Sequence, residues 1–341
     1  MSMRILLLAG GGGTRLWPLS TEERPKPFLR LLSEESLLAE TVERLSQLSP
    51  DIHVALNEQH VSLLRGEFPS LPAERIFAEP ERRNTGPAVL LAALTFAGEG
   101  DPVTAAVPSD QTVADAEAFR RALATAARVS EKASVVVLAV PPTRPETDFG
   151  YLEVRGEGSG EALEVMRFIE KPERGEAEEY LRAGYFWNAG IFVFRPSRLL
   201  AEARRVAADL VGSVQEYRER LRTGDRNGAR AIYARLPAIS IDNAVMEKAS
   251  GVRAVPLRAG WSDVGTWRSV RDLRGPSDDR GNLIVANVPV LAPGVADSAI
   301  VLAAGGLLVM PFQREGELKS AIERLRREQP APKTSWNGKT S

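Results

Sequence analysis

The stretch Arg4-Ile-Leu-Leu-Leu-Ala-Gly-Gly-Gly-Gly-Thr-Arg-Leu-Trp-Pro18 decides how this chain is read. Ile5 to Leu8 is an apolar run of strand length, and Gly10, Gly11, Gly12 and Gly13 follow at once. Thr14 and Arg15 come next, and Lys26 stands a little further on in Arg24-Pro-Lys-Pro-Phe28. Glycines let backbone amides approach a ligand closely, and a run of such N–H groups makes an anion-binding concavity. Arg15 and Lys26 add full positive charge, so the stretch suits a polyphosphate. The competing reading, a glycine-rich turn that closes a strand, leaves both cations unexplained.

Neither common phosphate loop fits. Gly-x-x-x-x-Gly-Lys-Ser/Thr needs a Lys directly after its last glycine, and none follows here. Gly-x-Gly-x-x-Gly fails at Arg15 when started from Gly10, and at Leu16 when started from Gly11.

Outward from the loop, strands and helices alternate. Ser36 to Leu45 has helical periodicity behind a Ser cap. Ile52 to Leu56 reads as a strand, Glu58 to Phe68 as a helix with His60 on its surface, and Ile76 to Ala78 as a strand. An apolar helix over Pro87 to Ala97 and strands over Val103 to Val107 and Ser134 to Val140 follow, the last two flanking a helix over Ala116 to Ser130. Apolar rather than alternating strands between helices indicate an α/β fold with a largely parallel sheet covered on both faces. Ligands in such sheets sit at the carboxyl ends of the strands. The second half is more mixed: Gly150 to Val154 and Glu164 to Glu170 form an expected hairpin around Gly156 to Gly160, and Trp187 to Phe194 a turn running into a buried strand. A helix over Arg198 to Leu221 is expected to break near Gly212. Composition changes at about Pro276, giving a division into a catalytic domain over 1–275 and a small β/α extension with a polar tail over 276–341.

The 341 residues are 43% hydrophobic and 26% charged, enough for a sizeable core. A net charge of −1 argues against a nucleic-acid partner, which needs a basic surface. Without cysteine there is no disulfide, thiolate nucleophile or cysteine-held metal, and His53 and His60 alone cannot build a multi-His site. The chain enters its first strand directly and has no apolar stretch long enough to span a bilayer, so the expectation is a cytoplasmic protein with no membrane partner.

Two carboxylates stand on loops after strands, Asp110 and Asp263. Such residues are ordinarily turn or cap residues. Carboxylates are also hard oxygen ligands, and Mg²⁺ is typically held by one or two of them together with substrate phosphates. Lys171 lies in Phe168-Ile-Glu-Lys-Pro172 at a strand end, and Asn188 between Trp187 and Gly190 offers an amide that suits a sugar hydroxyl.

Taken in order, the motifs resemble those of the sugar-phosphate nucleotidyltransferase family. They are Leu8 to Ser20 with Pro25-Lys26, Glu79-Pro80, Arg83-Asn-Thr-Gly-Pro-Ala88, Val107-Pro-Ser-Asp110 and Phe168 to Pro172. Trp187 to Phe192, Ser240-Ile-Asp242 with Val245-Met-Glu-Lys248, and Gly260 to Trp267 complete the set. Trp17, the Arg83-Asn-Thr stretch and the Ser240 to Lys248 stretch look like the branch that pairs mannose with GTP. There are departures from the family pattern. Gly12 stands where Ser is common, Gly86 where Ala is usual, Gln111 where His often follows the Asp, and Asp148-Phe149 where Gly-Tyr is typical.

The resemblance implies a Rossmann-like nucleotidyltransferase fold and the reaction of GTP with α-D-mannose 1-phosphate to give GDP-mannose and diphosphate. Arg15, Lys26 and Lys171 would then be the catalytic cations. Gly10 to Gly13, Thr14, Glu79, Asn84, Thr85, Pro87, Ala88 and Ser109 would hold the nucleotide. Gly150, Glu170 and Asn188 would hold the sugar, and Asp110 and Asp263 a Mg²⁺ ion. A homodimer is a further expectation, and the isomerase domain of the long bifunctional members is not expected in a chain of this length. Two alternatives stay open: the same chemistry on glucose 1-phosphate with UTP, dTTP or ATP, and a silent nucleotide-sugar-binding regulatory member.

Overall fold

A computed structural model describes residues 3–156 and 161–328. Its contacts divide the chain into two compact units. The first joins the segment up to Gly11 with Ser33–Asp263; the second joins Gly12–Leu32 with the segment from Val264 onward. This division by contacts falls at Asp263, and part of the glycine stretch groups with the C-terminal region.

The first unit is built on a nine-stranded sheet, ordered β3-β2-β1-β4-β9-β6-β10-β8-β7. These strands are β1 (Arg4–Leu8), β2 (Ile52–Asn57), β3 (Ile76–Glu79), β4 (Thr104–Pro108), β6 (Val136–Val140), β7 (Gly150–Arg155), β8 (Leu163–Glu170), β9 (Phe186–Phe194) and β10 (Arg253–Pro256). A two-stranded ladder pairs β5 (Thr112–Val113) with β11 (Trp261–Ser262). β1 pairs in parallel with both β2 and β4, β2 with β3, and β6 with β10, whereas β9 runs antiparallel to β4 and β6. The expected α/β fold with a mixed, mostly parallel sheet is what the chain forms. β1, β2, β4 and β6 are apolar and buried almost throughout because helices cover both faces.

The helices of this unit are α1 (Leu37–Ser46), α2 (Val61–Glu67), α3 (Thr85–Ala97), α4 (Ala116–Ser130), α5 (Arg174–Arg182), α6 (Pro196–Val206), α7 (Ala208–Arg222), α8 (Arg226–Tyr233) and α9 (Ile241–Ala244). Ser36 caps α1 as expected, its hydroxyl accepting from Ala39 N–H at 3.0 Å. α3 is apolar on every side and nearly all of it is buried, the behaviour of a helix inside a core. Phe96 of α3, Phe192 and Phe194 of β9, Tyr217 of α7 and Tyr233 of α8 belong to one hydrophobic cluster.

Several local expectations are corrected. The long helix breaks at Ala207, between α6 and α7, and Gly212 lies inside α7. Tertiary packing of Val211 and Val214 outweighs the helix penalty of a glycine there. His60 is buried rather than on a surface, its ring nitrogen 3.1 Å from the Gln59 amide. Asn188 is part of β9, not of a turn before it. The expected hairpin of β7 and β8 forms, but residues 157–160 of its Gly-rich turn lie outside the described residues, as does the polar tail over 329–341.

The second unit holds a three-stranded sheet of β12 (Leu283–Val285), β13 (Ser298–Ala303) and β14 (Gly306–Pro311), with α10 (Trp267–Arg274) and α11 (Leu318–Glu328). Within it, Trp267 Nε1–H donates to the Trp17 carbonyl at 3.0 Å, and Gly305 comes so close to Pro18 that a Cβ would lie 2.7 Å from its carbonyl oxygen. Gly13 is left-handed, with φ +57°, and a side chain there would meet Lys26 Cβ at 2.4 Å. Only glycine satisfies both demands. The Thr14–Leu16 turn therefore begins against Lys26, which is itself buried between Pro25 and Pro27.

Candidate active site

The carboxyl ends of β1, β2, β3 and β4 surround a cavity of about 240 Å³. Its apolar lining comes from Leu8, Ala55, Ala88 and Phe192, its polar lining from Asn57, Glu79, Arg82, Arg83, Asp110 and Asp242, and Gly10, Gly11, Asn84, Thr85 and Gly190 also reach it. This is where an open α/β sheet binds ligands.

The start of α3 forms one wall. Asn84 is left-handed at φ 63°, and its side-chain oxygen accepts Thr85 N–H at 2.9 Å. Thr85 Oγ1 accepts Ile241 N–H at 3.0 Å, and Gly86 N–H donates to the Ile239 carbonyl at 3.0 Å. A Cβ on Gly86 would lie 2.7 Å from that carbonyl oxygen, so glycine lets the two backbones meet. Pro87 is buried in the first turn of α3.

Glu79 ends β3 and is only 7% exposed. The Tyr233 hydroxyl donates to its Oε1, while its Oε2 lies 4.0 Å from where a side chain on Gly10 would begin. Burial pushes the Glu79 carboxyl up to about 7, against the opposing pull of the Tyr233 hydrogen bond. The Tyr233 phenol is pushed up by burial and by the facing carboxylate, so it remains a donor.

Asp110 follows β4. Its Oδ2 lies 3.4 Å from the place of a Gly11 Cβ, so the glycine leaves space beside the carboxylate. Ser109, by contrast, is fully buried, and both its N–H and hydroxyl donate to the Leu8 carbonyl at 3.1 Å. It is a strut under the loop and does not line the cavity. The β5–β11 ladder pairs Thr112 with Ser262, which brings Asp110 and Asp263 to the same end of that ladder. Gln111 locks it: its Nε2–H donates to the Ala189 carbonyl at 2.8 Å, and its Oε1 accepts Trp261 Nε1–H at 2.9 Å. Among the described residues no group of three or more His, Asp or Glu forms a metal cage. Two carboxylates at one end of a ladder would suit Mg²⁺, which takes one or two from the protein and fills its shell with phosphate oxygens and water.

The three residues expected to hold a sugar come together. A Cβ on Gly150 would lie 2.7 Å from Glu170 Oε2 and 3.3 Å from Asn188 Cβ. Asn188 Nδ2–H donates to Asp242 Oδ1 at 2.9 Å, and its Oδ1 accepts Gly190 N–H at 3.0 Å. Asp242 lines the cavity, so the trio is tied to the cavity wall through this bond. Burial, and then the charge of Glu170, push the Asp242 carboxyl up to about 7. Lys171 follows Glu170 in a left-handed turn at φ 49°, is 59% exposed, and places its ammonium 2.5 Å from Glu170 Oε1. Arg15 and Lys26 belong to the second unit, as do Gly12, Gly13 and Thr14.

Asp242 and Tyr233 were not singled out by sequence. Asp242 stands in a motif that was visible, Ser240-Ile-Asp, where the Ser240 cap of α9 left its neighbour without an assigned task. Tyr233 ends α8, a helix that polarity pattern alone did not separate from its surroundings.

Comparison with known proteins gives the family. A family model described as nucleotidyl transferase matches residues 4–275, and the chain belongs to that family. It is 39% identical over 288 residues to the xanthan biosynthesis protein XanB of Xanthomonas campestris pv. campestris, covering 81% of this chain and 60% of that one. It is 34% identical over 352 residues to a mannose-1-phosphate guanylyltransferase of Klebsiella pneumoniae, covering 95% of this chain and 74% of that one. A crystal structure described as a mannose-1-phosphate geranyltransferase from Thermus thermophilus superposes with a TM-score of 0.83 at 36% identity, over 96% of this chain and all of that one. The chain thus spans 60% of the length of XanB and a larger share of the other two. No helix among the described residues is long and apolar enough to cross a membrane.

Proposed function

We propose that the protein transfers a guanylyl group from GTP to α-D-mannose 1-phosphate, releasing diphosphate and GDP-mannose, in the cytoplasm where nucleoside triphosphates are available. The observation that carries the reading is the 34% identity, across 95% of this chain, to an enzyme named for that reaction. The clustering of Gly150, Glu170 and Asn188, tied through Asp242 to the cavity wall, supports it.

The nucleophile is a phosphate oxygen that is already anionic at neutral pH, so no general base is needed. One P–O bond forms between the sugar phosphate and the α-phosphorus as the bond from that phosphorus to the bridging oxygen breaks, and diphosphate departs. The obstacle is repulsion between anions, so catalysis rests on positioning and electrostatics. Arg15 and the loop amides neutralise the triphosphate, Lys26 the α-phosphate or sugar phosphate, and Lys171 the sugar phosphate. Glu170, Asn188 and the Gly150 backbone accept and donate to hexose hydroxyls. The base lies against Gly10, Glu79, Asn84, Thr85, Pro87 and Ala88. Asp110 and Asp263 would hold Mg²⁺, which supplies charge neutralisation between the phosphates.

The test is a diphosphate-release assay over GTP, ATP, UTP and dTTP crossed with mannose and glucose 1-phosphates. Preference for GTP with mannose 1-phosphate is expected. Equal or greater turnover with UTP or dTTP and glucose 1-phosphate would overturn the proposal.

A further inference from the structure

Glu79 is one of the acidic groups lining the cavity, yet half of it faces away from that space. Its Oε1 accepts the phenolic hydrogen of Tyr233, a residue that is itself fully buried and does not line the cavity. Its Oε2 is on the Gly10 side. Tyr233 is held in turn by Tyr217 of α7, with ring centroids 4.7 Å apart. A carboxylate fixed in this way presents one oriented acceptor to the cavity. Guanine offers N–H donors along its pairing edge where adenine offers a bare ring nitrogen, so an oriented acceptor separates the two. Charge-assisted hydrogen bonds of this kind are the strong ones.

We propose that Tyr233 is a positioning residue for base recognition: by engaging Glu79 Oε1 it holds the carboxylate with Oε2 towards the guanine edge. The inference rests on the reading that the base lies against Glu79. The charged and titratable groups around the pair are few. Tyr217 packs on Tyr233, the Glu58–Arg230 ion pair closes the outer side at 2.6 Å, Arg83 acts on Tyr233, and Glu81 and Arg82 line the cavity. Because the Tyr233 hydrogen bond favours the ionised Glu79, removing it weakens base binding most on the acid side of neutrality.

The test is Tyr233→Phe in the full chain, with nucleotide kinetics from pH 5.5 to about 8.5, a window centred on the Glu79 titration. KM for GTP should rise about tenfold at pH 7 with kcat within about twofold, the size expected for one hydrogen bond to a charged group. The acid limb of kcat/KM for GTP should move to higher pH, and the preference for GTP over ATP should shrink. Tyr217→Phe, which removes a hydroxyl from the same stack, should change none of these. Incorporation of 3-fluorotyrosine at 233, a stronger donor, should move the limb the other way, and it serves if Tyr233→Phe fails to fold. Glu79→Gln separates the two levels. If it leaves nucleotide preference and pH profile unchanged, the base does not meet Glu79. If it abolishes both while Tyr233→Phe and 3-fluorotyrosine shift nothing, the base reading stands and the role given to Tyr233 is wrong.

Discussion

Asn188 and Asp242 are joined by a 2.9 Å hydrogen bond from amide to carboxylate, and the same amide's oxygen accepts the Gly190 N–H. The side chain is tethered at both ends, so its second amide hydrogen and second lone pair are already oriented for a sugar hydroxyl, without the ordering entropy of a free amide. Asn188→Ala removes the tether and leaves Asp242 without its donor. KM for the sugar phosphate should rise at least tenfold, and stability should fall by about 1–3 kcal/mol, the cost of an unsatisfied buried partner. Steady-state kinetics and urea unfolding read the two effects, and an unchanged KM would remove Asn188 from the sugar site.

Gly150 makes the companion case. A methyl group there would sit 2.7 Å from Glu170 Oε2, so Gly150→Ala must displace that carboxylate. The expected result is a raised KM for the sugar phosphate with KM for GTP unmoved. Equal effects on both substrates would show that Glu170 serves something other than the sugar.

Asp242 gives stability a pH dependence of known sign. Its pKa is near 3.8 when unfolded and about 7 when folded, so the folded state holds the proton more tightly. The stabilisation is fully present below pH 4 and is lost as pH rises through 7, by about 1.4 kcal/mol for each unit of displacement. Glu79, raised in the same direction, adds to the slope. Asp242→Asn should flatten the fall in urea stability between pH 4 and 7; parallel curves for the variant and wild type would refute the assignment.

Arg15→Ala and Asp263→Asn should each lower turnover by about 10²–10³, the range for losing one charged contact to a transition state. Melting temperature should stay close to wild type. For Asp263→Asn, raising Mg²⁺ should recover part of the rate, and for Arg15→Ala it should not. Near-normal turnover in either variant would withdraw the role assigned to that residue.

Much of this was legible in the chain before folding. The strands that bury both faces announce themselves as apolar runs, and the glycine stretch announces an anion site through the cations beside it. Glu79, Asn84, Thr85, Ala88 and Asp110 all reach the cavity, because residues at strand ends and helix starts are placed by local structure. Ser109 bonds to the Leu8 carbonyl, 101 residues away, a use of the loop position that no local pattern encodes. Tyr233 and Asp242 were hidden for the same reason. Their partners, Glu79 and Asn188, lie 154 and 54 residues off, and no periodicity in a single sequence encodes such pairs.

The close approach of Gly86 to the Ile239 carbonyl restricts how this chain can exchange residues with its relatives. Ala at that position is not a neutral graft here: its methyl group and the carbonyl cannot both keep their places. Positions 86 and 239–240 therefore form an epistatic unit, in which a substitution tolerated in one background fails in another until the backbone opposite has shifted. Chimaeras that swap α3 alone should fold poorly, whereas those that carry the 239–240 segment along should not.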